Sequence, residues 1–201
     1  MKYRKDIPII TIVLIILNLI VFFAMELMGS TEETGFLFDH GAMYVPAVLD
    51  DGEWYRVITH MFMHSGAEHI LNNMVMLGIL GYQMEKEYGC IKYLITYFVC
   101  GIGATIVSGM GDMLIGQYSV SVGASGAIMG LFGALLVMVF KNRRQFEQVS
   151  SGPRLIILFI IMVFGNMEEG VDWMAHLGGA VTGVIMAFII YRPKRETYFQ
   201  L

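Results

Sequence analysis

Residues 121–140, SVGASGAIMGLFGALLVMVF, contain no charged side chain. They are about as long as the apolar run needed to cross the hydrocarbon core of a bilayer. Gly123-Ala124-Ser125-Gly126 opens this stretch and sets one hydroxyl between glycines. Glycine permits close backbone approach and leaves neighbouring amides accessible. A helix starting here would offer unpaired N–H groups and the positive end of its dipole beside Ser125. Those are the properties wanted next to a developing oxyanion. A small-residue packing patch is the plainer reading of the same quartet, and the pattern differs from the soluble hydrolase elbow because position 127 is Ala.

Outward from this stretch the whole chain reads as membrane protein. Of its 201 residues 56% are hydrophobic and 15% charged, against about a quarter charged in soluble domains. The mean hydropathy is +0.64. The fold class expected is all-α: a polytopic bundle of six transmembrane helices forming a single membrane domain over 1–201. The spans fall at roughly 7–28, 68–84, 91–110, 121–140, 155–170 and 173–191, with an outer loop at 29–67. The first run is too long for a signal-peptide core and lacks an Ala-x-Ala-like cleavage site, so it reads as a retained span.

Charge supports this count. Lys2, Arg4, Lys5, Lys86, Lys92, Lys141, Arg143, Arg144, Arg154, Arg192, Lys194 and Arg195 all fall on one side of a six-span chain, leaving only Arg56 of the 13 basic residues opposite. The positive-inside rule then puts both termini in the cytoplasm. The outer loop is acidic but rich in aromatics and methionine, which points to a segment lying in the membrane interface; a flexible acidic loop is the alternative.

Intramembrane polar residues are costly and tend to be functional. His176 lies near the outer end of the last span, where Gly179 and Gly183, four apart, form a groove able to draw in another helix. If that helix carries Ser125, alcohol and imidazole meet at one membrane depth as nucleophile and base. A packed structural histidine or a proton relay in a small transporter are the other readings. His69 and Asn73, at i and i+4, share a helix face and both carry N–H donors suited to an oxyanion. Ordinary interhelical hydrogen bonding is the alternative for that pair.

Several chemistries are disfavoured. His60, His64 and His69 have loose metal-ligand spacing but no acidic partner of the HExxH kind, so no metal is expected. Gly109-Met110-Gly111-Asp112 matches the Gly-x-Gly-Asp of aspartyl intramembrane proteases, yet the second aspartate such chemistry needs is missing and Asp112 reads as a turn residue. Cys90 and Cys100, ten apart on one helix, lie roughly 15 Å apart along its axis, too far to bridge.

These motifs occur in order: Trp54-Tyr55-Arg56, His69 with Asn73, Glu85 with Gly89, Gly123-Ala124-Ser125-Gly126, and Ala175-His176 followed by Gly179 and Gly183. Together they resemble the rhomboid intramembrane serine proteases. The resemblance runs from about Trp54 to Gly183 and is closest to the minimal six-span bacterial type. It implies Ser125 as nucleophile and His176 as base, and an oxyanion hole of Asn73, His69 and the Ser125 amide. It also implies structural roles for Gly123, Gly126, Gly179, Gly183, Trp54 and Arg56. Tyr55 separates a tryptophan and arginine that are often adjacent in the family. Met129 stands where an aromatic ring often packs on the catalytic histidine, which implies altered tuning of His176. The activity implied is cleavage of transmembrane-helix substrates at the outer side of the bilayer, with no cofactor. The partners implied are single-pass membrane proteins and the lipid bilayer, not nucleic acid or metal. The location implied is the bacterial inner (plasma) membrane. A catalytically inactive relative that binds and escorts membrane proteins is the alternative.

Overall fold

Hydrocarbon offers backbone amides no solvent partner, so apolar runs fold as helices. The computed structural model describes residues 7–141 and 172–192. Its long helices are α1 (Ile9–Met28), α5 (Gly66–Tyr88), α6 (Cys90–Ile115), α7 (Ser125–Lys141) and α8 (Trp173–Ile190). Among the described residues α1, α6 and α8 are long and apolar enough to cross a membrane, and α7 is apolar but shorter. The fifth expected span, 155–170, lies outside the described residues.

The outer loop carries short helices α2 (Thr34–Asp39), α3 (Val45–Leu49) and α4 (Arg56–Thr59), followed by a 3₁₀ turn at His60–Phe62. Arg56 organises it. The residue is 3% exposed, and its guanidinium donates to the Phe38 and Ala42 carbonyls at 2.7 and 2.8 Å and to Glu53 at 2.5 Å. It also lies over the Phe38 ring.

α7 is apolar on every face and sits at the centre of the bundle, enclosed by α5, α6 and α8. α1 buries one stripe, Thr11, Leu14, Asn18, Phe22 and Met25, against α5. Its other faces, with Ile16, Ile20, Phe23 and Leu27, are exposed and apolar, as a lipid-facing surface requires. At the other end of α5, Glu85 accepts from the Ile10 and Thr11 amides, each at 2.9 Å, and from Thr11 Oγ1 at 2.8 Å. The carboxylate thus satisfies the first free amides of α1.

The three largest differences in helix boundaries from the sequence expectation are these. α5 continues to Tyr88 and not 84, and ends at Gly89. α6 continues to Ile115 and not 110, which puts Asp112 in its last turn, where its carboxylate accepts from the Ser119 amide at 3.2 Å. α7 begins at Ser125 and not 121. Residues 121–124 lie outside the helix: Ser121 pairs with Met43 as an isolated antiparallel bridge, and Gly123 adopts φ +124°.

Candidate active site

The packing of α7 against α8 sets the relative placement of Ser125 and His176. A Cβ on Gly179 would lie 2.1 Å from the Gly126 oxygen, and one on Gly183 would lie 1.8 Å from the Gly130 oxygen. The helices therefore touch backbone to backbone. The contacts ascend together, 126 with 179 and 130 with 183, so the helices run parallel and their N-termini lie at one end. Ser125 is the first residue of α7 and His176 lies in the first turn of α8. His176 Nε2 comes within 3.0 Å of Ser125 Oγ.

The segment entering Ser125 is held from several directions. Met43 and Ser121 exchange two backbone bonds of 2.9 Å, and the Gly123 amide donates to the His60 carbonyl at 2.9 Å. The positive φ of Gly123 is one that L side chains rarely adopt. A Cβ there would also lie 2.9 Å from His69 Nε2. Glycine at 123 thus lets the His69 ring come up beside the start of α7.

His69 and Asn73 both line the cavity that holds Ser125 and His176. The Ser65 amide donates to His69 Nδ1 at 3.3 Å. That leaves the ring hydrogen on Nε2, on the side facing Gly123. Asn73 is 5% exposed and donates from Nδ2 to the His69 carbonyl at 2.9 Å. Nδ2 has a second hydrogen to offer. The Ser125 amide, at the N-terminus of α7, is a further donor with no carbonyl four residues earlier in helical position.

The cavity measures about 930 Å³ and extends from Glu32 in the outer loop and Glu68 in the first turn of α5 to Ser125 and His176. Among the described residues no cluster of three His, Cys, Asp or Glu side chains is placed to hold a metal ion. His60 is committed elsewhere, its Nε2 meeting Thr105 Oγ1 at 2.9 Å. Burial lowers its pKa to about 4, against an opposing pull from the Asp172 charge. His64 is fully buried, and burial, with His69 adding to it, lowers its pKa to about 3. Both rings are neutral near pH 7.

Other residues singled out in the sequence fall as follows. Met129 is buried on α7 and lines the cavity. The aromatic ring against His176 belongs to Trp173, one turn earlier on α8, with centroids 5.8 Å apart and an interplanar angle of 79°. Arg56 is interior to the outer loop, whereas Trp54 is 63% exposed. Cys90 and Cys100 are free thiols, both on α6. Sequence reasoning missed the linkage around Asp172, whose carboxylate accepts from the Ala175 amide at 2.8 Å, from Ser121 Oγ at 3.3 Å and from Ser108 Oγ. One signal for it was available: an aspartate immediately before an apolar run is a helix N-cap.

The family model for the Rhomboid domain matches residues 51–193. The chain belongs to the rhomboid family. It is 32% identical to Rhomboid protease GluP of Bacillus subtilis (strain 168) over 196 residues, covering 98% of this chain and 38% of the relative. Rhomboid protease AarA of Providencia stuartii is 28% identical over 213 residues, covering 92% and 74%. RHOMBOID-like protein 6, mitochondrial, of Arabidopsis thaliana is 36% identical over 154 residues, covering 75% and 48%. The chain spans less than half the length of several of these curated relatives. Family membership and the apolar helices make this a membrane protein of the rhomboid type.

Proposed function

We propose that this rhomboid chain is an intramembrane serine endopeptidase in which Ser125 is the nucleophile and His176 the general base. The observation that carries this is the 3.0 Å approach of His176 Nε2 to Ser125 Oγ inside a large cavity. The family match and the relatives named as rhomboid proteases support it.

In this mechanism His176 Nε2 takes the hydroxyl proton as Ser125 Oγ attacks the scissile carbonyl. The Ser125 amide, Asn73 Nδ2 and His69 Nε2–H donate to the oxyanion. The proton passes from His176 to the leaving amine, and a water then releases the acyl group from Ser125. The pair acts without a third carboxylate. His176 Nδ1 has no hydrogen-bond partner among the described residues, and the Asp172 oxygens serve other donors.

The substrates proposed are single-pass membrane proteins, cut near the outer boundary of the bilayer. The wider frame is one membrane domain of six spans in a bacterial plasma membrane, with both termini cytoplasmic. The apolar lengths of α1, α6 and α8 support the membrane frame. The basic residues favour that orientation.

The test is covalent labelling of detergent-solubilised protein with a fluorophosphonate probe. Wild type is expected to label, and Ser125→Ala and His176→Ala are expected not to. Unlabelled wild type that still cuts no transmembrane reporter would overturn the assignment and leave a membrane-protein binding module.

A further inference from the structure

We infer that Asp172 is a positioning residue for the Ser125–His176 pair, because its carboxylate ties together the three backbone segments whose relative placement sets their contact. This rests on the dyad assigned above. Oδ1 accepts from the Ala175 amide at 2.8 Å, capping α8 one turn before His176. Oδ2 accepts from Ser108 Oγ on α6 and from Ser121 Oγ on the segment entering Ser125. The donors are 51 and 64 residues away in sequence, so the linkage is tertiary.

Two of these segments lead directly to the reacting atoms, and the third anchors them. Along α8, the His176 amide donates to the Asp172 carbonyl at 3.1 Å, so the cap fixes the turn that aims the imidazole. Along the segment entering Ser125, Ser121 is held to Met43 by two backbone bonds and Gly123 to His60 by a third. The bond from Ser121 Oγ fastens this assembly to the start of α8. Ser108, 8% exposed, lies near the outer end of α6 and anchors the carboxylate to the bundle.

The residue type fits the task. Two oxygens must accept from one amide and two hydroxyls, and an ionised carboxylate is the side chain that only accepts. Charge at a helix N-terminus is also favourable. An N-cap alone would need only the bond to Ala175; the two serine bonds are what join α8 to the nucleophile segment and to α6. A displacement of reacting groups by about 1 Å can cost about a hundredfold in rate, so losing these bonds should register in chemistry more than in substrate binding.

The experiment compares Asp172→Ala, Ser108→Ala/Ser121→Ala and the triple variant, reading fluorophosphonate labelling rate, kcat and KM on a transmembrane reporter, and melting temperature. The double serine variant keeps the cap on Ala175 and removes only the ties. It is expected to lower kcat and labelling rate by about 10- to 100-fold, with KM within about 3-fold. Asp172→Ala should lose at least as much, and the triple variant no more than Asp172→Ala. A double serine variant with wild-type kcat and labelling, or one whose loss lies in KM, would overturn the proposal and reduce Asp172 to a helix cap. Failure of wild type to label would instead sink the dyad itself, so the two failures are distinguishable.

Discussion

At the scale of single residues, Asn73 and His69 carry the charge-stabilising load of the proposed mechanism. The Asn73 amide is 5% exposed and lines the cavity, with one hydrogen already given to the His69 carbonyl. The hydrogen left over costs nothing to reorganise when an oxyanion forms. Asn73→Ala is therefore expected to lower kcat by about 100-fold or more while leaving KM nearly unchanged, as for removal of an oxyanion-hole donor. Steady-state cleavage of a transmembrane reporter checks it. Histidines 60 and 64 make a separate prediction about pH. Burial depresses both pKa values from 6.5, to about 4 and about 3. Below pH 6.5 the unfolded chain therefore binds more protons than the folded one. The stability in question is complete above about pH 6.5 and declines as pH falls toward the folded values. At pH 5 each ring should cost about 2 kcal/mol relative to neutral pH. Unfolding midpoints at pH 7.5 and 5.0 should show that fall in wild type and a smaller one in His64→Phe.

At the scale of elements, backbone contact between α7 and α8 determines whether the site exists. The Gly130 oxygen occupies the space a Cβ at 183 would need, and a carbonyl in mid-helix cannot move aside as a flexible side chain can. Gly183→Ala should cost about 1–3 kcal/mol or more through overpacking and should reduce Ser125 labelling as the helices separate. Val181→Ala, on the exposed face of α8, should change stability by no more than about 0.5 kcal/mol. Thermal unfolding in detergent alongside labelling checks both. The glycine spacing behind this contact was readable in the sequence because it repeats at helical period. The start of α7 was not: 121–124 is as apolar and small as the helix that follows, and only the bridge to Met43 and the φ of Gly123 end the pattern. The Asp172, Ser108 and Ser121 linkage was hidden for another reason. Its members are far apart in sequence, and no periodicity encodes which turns of α6 and α8 share a level.

At the scale of the whole molecule, apolar length made α1, α6 and α8 plain, since each fills a bilayer alone. α5 was the weaker span by hydropathy. It carries His69, Asn73 and Glu85, and these face the cavity or α1 instead of lipid. This architecture buries the site within the bundle and opens it to a wide cavity bordered by the outer loop. An intact helix could not serve as substrate in the proposed reaction. Each helical carbonyl is bonded to an amide four residues on, and attack by Ser125 Oγ in the proposed mechanism needs one that is exposed. The scissile segment must first unwind, and the cost of unwinding depends on its composition. Glycine disfavours a helix by about 1 kcal/mol and proline by about 3 relative to alanine. At about 1.4 kcal/mol per factor of ten in rate, a Gly-Pro pair near the outer boundary should raise kcat/KM at least tenfold over an uninterrupted polyleucine span. Cleavage of the two reporters in liposomes, with Ser125→Ala as the blank, measures the ratio. Equal rates would mean that helix opening precedes entry or does not limit the reaction, and would remove unwinding as a basis for substrate choice.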